Sequence, residues 1–147
     1  METPEQKKDR DRLRSYIKRE NLTCVLNDTK WSELLEALSR IAGVLDFRRK
    51  DVRDPDDSNT PWCSDLPYML GGWENIEWLD IRAQVSHRQG ALLPPRIEDH
   101  TDQLIDALDS VGIPYSRTDD GARIRGYLRP GISPEWANTK STKNRRR

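Results

Sequence analysis

Cys24, Cys63, His87 and His100 are the residues whose types could ligate a metal or pair a nucleophile with a base. A zinc-type site needs about four ligands held close together, and these residues lack any ligand spacing. A Cys–His pair built on Cys63 needs proximity in space, which spacing in the chain does not report. No GxGxxG, Walker, GxSxG or HExxH motif is present, so the phosphate-, acyl- and zinc-handling signatures are missing. Gly71-Gly72 is not followed by the Lys-Ser/Thr that a phosphate loop uses. The expectation is a protein with no metal, no cofactor and no catalytic residue.

Charge offers a different chemistry. Between Asp51 and Asp80 stand eight carboxylates, among them Asp54, Asp56, Asp57, Asp65 and Glu74, opposed only by Arg53. Trp62, Tyr68, Trp73 and Trp78 are interleaved with them. DPDDSNTPW lacks the glycine and closing glutamate of an EF-hand loop, which argues against calcium. Carboxylates that steer a partner, beside aromatics that anchor it once desolvated, describe a protein-binding surface for a basic protein. Trp78, among apolar strand-like neighbours, is read as core; Trp62 and Trp73 are the expected anchors. Asp102, Asp106 and Asp109 extend the acidic pattern along a helix.

The 147 residues carry no net charge, but the balance is uneven. Residues 1–20 hold a net +2 and residues 133–147 a net +4, which leaves −6 between them. The basic ending, Lys140, Lys143 and Arg145 to Arg147, is the one place where nucleic acid would find counter-charge. Hydrophobic residues make up 34% and charged residues 34%, with mean hydropathy −0.92. No apolar run approaches the ~18 residues of a membrane span, and METPEQKKDRDR has no apolar stretch of a secretory signal. The expected setting is cytoplasmic, with no membrane partner.

Elements must position these groups. Residues 5–19 predict a very polar helix with the short stripe Leu13, Tyr16, Ile17, hence a weakly docked arm over 1–21. Trp31, Leu34, Leu35, Leu38 and Ile41 follow the helical period, with Thr29 or Asp28 as cap and Gly43 as stop. Val44 to Val52 reads as a strand, 53–72 as a long loop, and 73–85 as a buried strand of unfixed register. His87 to Pro95 reads as a connector, and Ile97 to Val111 as a second amphipathic helix ended by Gly112. Ile113 to Arg117 and Ala122 to Leu128 flank Thr-Asp-Asp-Gly, a hairpin signal in which Asp-Gly accepts positive φ. The order is helix–strand–strand twice. It predicts an α+β, two-layer domain over 22–131, with a four-stranded, mainly antiparallel sheet and two helices on one face. Residues 132–147 are expected to be a disordered basic tail.

With the helix DTKWSELLEAL, the strand ENIEWLDI and the ending IPYSRTDDGARIRGYLRPG, the chain resembles an uncharacterised family of small bacterial single-domain proteins. These are similar in size and character to the immunity proteins of polymorphic or contact-dependent toxin systems. The resemblance covers roughly Asp28 to Gly131, and its motifs are structural rather than catalytic. It implies a binding protein that neutralises a cognate toxin domain by occluding it. Two alternatives differ in class. One is a nucleic-acid-associated accessory protein that uses the basic tail; the other is a small enzyme in which Cys63, His87, His100 and a carboxylate meet.

Overall fold

The computed structural model describes residues 2–41, 45–56 and 60–137. Gly43, Asp57 and the tail from Asn138 onward lie outside the described residues. The chain runs α1 (Pro4–Arg19), β1 (Thr23–Cys24), α2 (Asp28–Ser39), β2 (Asp46–Asp51), α3 (Leu66–Met69), β3 (Ile76–Arg82), β4 (Gln84–His87), β5 (Arg96–Asp99), α4 (Thr101–Ser110), β6 (Ser116–Thr118), β7 (Gly121–Arg125) and β8 (Tyr127–Leu128). β2, β3, β7 and β6 form an antiparallel four-stranded sheet in that spatial order. Each helix–strand–strand unit supplies one antiparallel pair, and the pairs join through β3 and β7. The fold is the expected α+β arrangement.

Both helices lie on one face of the sheet because their apolar stripes need the same cover. Trp31, Leu34 and Leu38 of α2 and Leu104 and Leu108 of α4 pack with Phe47, Leu79, Ile81, Ala122 and Ile124 of the sheet. Lys30 of α2 donates to the Val111 carbonyl at the end of α4, at 2.7 Å. That contact ties the helices together and answers an orphan carbonyl. The cap of α2 is Asn27, which accepts from the Lys30 N–H; Thr29 and Asp28 already lie inside the helix. α4 begins at Thr101 rather than near Ile97, because residues 96–99 pair with 84–87 as a hairpin. The stretch read as a connector, His87 to Pro95, is the turn of that hairpin, with His87 closing its first strand.

The N-terminal arm is seated where only weak docking was expected. Leu13 is 3% exposed and packs with Leu22, Val52 and Tyr127, with Tyr16 and Ile17 alongside. Asn21 makes this possible by adopting φ +56° after the helix. The Leu22 N–H then reaches the Ile17 carbonyl, and the Asn21 N–H the Lys18 carbonyl. This paired closure turns the chain back under its own stripe.

The long loop is also more structured than its composition suggested. Cys63 and Phe47 exchange both backbone hydrogen bonds at 2.8 Å, and the Thr60 hydroxyl donates to the Arg49 carbonyl. The loop thus lines the outer edge of β2 before forming α3. On the far side of the sheet, the Ala137 N–H donates to the Tyr115 carbonyl beside β6.

In β3, Trp78 faces Lys50 and Ile76 faces Asp51, so Glu77 is an extra residue. This bulge turns Ile76 into the core and leaves Glu77 on the open side of the sheet. There Lys50 donates to Glu77 at 2.6 Å, and Arg129 to its two oxygens at 2.9 and 3.1 Å. Burial pushes the Glu77 carboxyl up, but the hydrogen bonds from Arg129 and Lys50 outweigh it and hold it below its ordinary value.

Gly121 answers a steric demand rather than the positive φ expected of the Asp-Gly turn. A Cβ there would sit 1.8 Å from the Ile81 carbonyl oxygen. Gly121→Ala should therefore cost about 3 kcal/mol, since the strand backbone has to give way. Denaturant unfolding measures this, and a loss below about 0.5 kcal/mol would show that β3 and β7 are not so close.

Glu77→Gln should cost about 3 kcal/mol at neutral pH, because buried Lys50 loses its close counter-charge and keeps only the exposed Asp56 at 3.6 Å. A carboxyl with a depressed folded pKa stabilises above its ordinary value of 4.5, and loses that effect as pH falls through the folded value. The stability gap between the wild-type chain and Glu77→Gln should therefore narrow on acidification below that point. A gap independent of pH would remove the ionic account.

Candidate functional site

The helices leave the second face of the sheet open. Cross-strand partners share a face, and alternate residues along a strand return to it. One row across the open face reads Arg48, Asp80, Arg123, Ser116. Its neighbours read Asp46 with Arg82, and Lys50 with Trp78 and Arg125. Trp62 joins them from the loop. Cys63 sits opposite Phe47 on the core side, so the preceding residue turns to the other side.

Tryptophan and arginine are stacked there. The guanidiniums of Arg48 and Arg82 lie 4.6 and 4.3 Å from the Trp62 ring centroid, and Arg123 lies 4.0 Å from that of Trp78. Stacking on an indole attracts the cation and orients its planar fork. Trp78, expected in the core, is thus half-buried beneath Arg123.

Two aspartates hold most of the arginines. Arg82 donates to Asp46 at 2.6 Å, and Arg123 to both oxygens of Asp80 at 2.7 and 3.0 Å. Arg48 Nε lies 3.5 Å from Asp80, an ionic contact longer than a good hydrogen bond. Asp80 is 5% exposed, so its charge is sustained by these partners. The Nε atoms of Arg48, Arg82 and Arg125 and the Ser116 hydroxyl are sealed from solvent without a hydrogen-bond partner among the described residues. Native proteins leave few such groups.

The expected acidic surface is distributed differently. Asp54 accepts from the Asp51 N–H, and Asp65 caps α3 by accepting from the Tyr68 N–H. Asp56 is exposed and lies 3.6 Å from Lys50. Asp57 lies outside the described residues. Trp73 packs beside the core, with its indole N–H donating to Asp28 at 3.0 Å. Glu74 is exposed, and its carbonyl accepts from the Tyr127 hydroxyl at 2.7 Å. Asp102, Asp106 and Asp109 are exposed on α4, in the helix layer. Trp62 and the α4 carboxylates therefore occupy opposite sides of the sheet.

The residues of the enzyme alternative are brought together only in part. His87 and His100 both meet Glu98, at 2.9 and 3.2 Å. The His100 hydrogen bond first, then the charges of His87 and Arg96, hold that carboxyl below its ordinary value. Cys63 instead accepts from the Asp65 N–H at the outer edge of β2. No group of three such side chains is placed to hold a metal ion among the described residues, and no helix among them is long and apolar enough to cross a membrane.

The arginines of the open face escaped the sequence reading although their signal was present. Trp78, Asp80 and Arg82 alternate along β3, and Arg123 and Arg125 along β7. Only the register was missing to place them together with Arg48.

No curated protein and no solved structure matches the chain. A family model matches both helix–strand–strand units and the part of α1 that docks. By that match, over residues 13–131, the chain belongs to DUF6678, a family of unknown function.

Proposed function

We propose that the chain is a non-catalytic protein-binding domain whose contact surface is the open face of the sheet. The observation that carries this reading is the pairing of Trp62 with Arg48 and Arg82, and of Trp78 with Arg123, on the face opposite the α2 and α4 layer. Tryptophan and arginine dominate binding energy at protein interfaces, because each combines a large contact area with fixed polar geometry. Four arginines stand against two aspartates there, so the complementary partner is acidic at its contact. Protein surfaces that bind nucleic acid are far more uniformly positive. Asp46 and Asp80 in the middle of the face would oppose a phosphate backbone, which favours a protein.

The resemblance to immunity proteins supports one version of this reading, in which the partner is a toxin domain and binding occludes it. With arginines at the anchor, the occluded surface is acidic. That differs from the basic partner expected from the loop carboxylates, whose members Asp54 and Asp65 are engaged as local caps.

Affinity capture from the native lysate tests the reading when three chains are compared: the wild type, Trp62→Ala with Arg82→Ala, and Asp102→Asn with Asp106→Asn. The sheet variant should lose a specific protein at least about tenfold, equivalent to 1.4 kcal/mol. The helix variant should keep it, and thermal melting should show both variants folded. Capture that survives the sheet variant and fails with the helix variant would move the site to α4. Capture abolished by nuclease would replace the protein partner with nucleic acid.

A further inference from the structure

We propose that the outer edge of β5 is a homodimer contact, where a second copy of the chain pairs β5 with β5, antiparallel, about a two-fold axis at Ile97. The proposal does not rest on the protein-binding reading above. β4 and β5 form a sheet of two strands, separate from the four-stranded one. A hairpin of that size is marginal in water unless something extends it. Of the five large apolar side chains left exposed among the described residues, three belong to it: Leu92, Leu93 and Ile97, the last 58% exposed. The rims of the four-stranded sheet carry contacts from the chain's own segments, but no strand among the described residues pairs with the outer edge of β5.

Backbone alternation says what that edge offers. The His100 N–H donates to the Ala83 carbonyl at 2.8 Å. Hydrogen-bonded pairs alternate along an antiparallel ladder, so Val85 bonds Glu98 and His87 bonds Arg96. Ile97, between them, turns its N–H and C=O outward. Two copies can therefore exchange both bonds between their Ile97 residues. Pro95 lies two residues earlier on the same edge and can accept there but not donate.

Charge fixes the register. Facing residues in an antiparallel pair both turn their backbone groups toward each other or both away, so the axis must pass through a residue. An axis at Arg96, Glu98 or Asp99 would set like charges opposite each other, which destabilises a pair. An axis at Ile97 sets isoleucine against isoleucine, and twice sets Arg96 against Glu98 of the second copy. Each copy already shows that attraction, since Arg96 donates to its own Glu98 at 3.1 Å. Both side chains remain accessible, at 58% and 28% exposed. The pairs flanking a hydrogen-bonded one bring their side chains closer, which suits an ion pair. Ile97 shares a groove with Arg82, Gln84 and Ser86, so pairing sets the open faces of the two copies side by side.

Sedimentation equilibrium of the full chain tests this. A four-residue edge is small beside the ~1,600 Å² of a standard interface, so association should be followed up to about 1 mM. The expected result is a monomer–dimer equilibrium within that range. Ile97→Lys places a charge on the edge and should weaken the dimer at least about tenfold. Arg96→Glu and Glu98→Arg should each weaken it too, because like charges then face each other. Mixing those two variants should restore a heterodimer, since each glutamate then meets an arginine of the other copy. Melting temperatures show which variants are folded; Ile97→Lys and Arg96→Glu, at exposed positions, decide the matter without Glu98→Arg. A chain monomeric throughout overturns the proposal, as does a mixture of folded variants that stays monomeric. A dimer untouched by Ile97→Lys also overturns it, and loss of that dimer in Trp62→Ala would place the contact on the open face instead.

Discussion

The Glu77 carboxylate is the point on which the rest of the sheet depends. Its place is fixed by one extra residue in β3, and it gathers Lys50 from β2 and Arg129 from the chain after β8. Arg129 also donates to the Val52 carbonyl and to the Tyr16 hydroxyl of α1. A single buried charge therefore joins the two-residue strand β8, the end of β2 and the N-terminal helix. A buried ion cluster adds little net stability over apolar packing, but it tolerates only one arrangement. It closes one end of the open face and leaves the Trp62 and Arg82 end accessible.

The fold was legible because its signals were periodic. Trp31, Leu34 and Leu38, and then Leu104 and Leu108, announce helices by spacing alone, and all five are buried. The hairpin around Asp119 and Asp120 and the stop at Gly112 were equally plain. The site was not legible, and β3 shows why. Isolated alternation assigns residues to two faces without saying which face is buried, and the bulge at Glu77 reverses the assignment within the strand. Ile76 and Trp78 look equivalent in the sequence, yet one is fully buried and the other lies under a guanidinium. The loop carboxylates misled for a related reason. Asp54 and Asp65 look like free surface charge in composition, whereas one oxygen of each accepts from a nearby backbone N–H.

The same arrangement gives the two layers opposite electrical character. Exposed carboxylates of α4 look away from the sheet, and arginines occupy its far side. A chain with no net charge in its full sequence can in this way present a directional field, which bears on how it orients during an encounter more than on how tightly it binds.

The contacts along the two rims of the sheet have a consequence of their own. The Phe47–Cys63 exchange and the Thr60 hydroxyl occupy backbone groups on the outer side of β2, and Ala137 occupies Tyr115 beside β6. An unpaired rim is a template on which another polypeptide can build, and it is the usual starting point of amyloid-like stacking and strand exchange. Here the template is interrupted at both limits by the chain's own segments. Growth by adding strands is blocked at those positions, so a visitor must approach broadside, where shape and side-chain identity decide the fit instead of the generic hydrogen bonds that any backbone can offer.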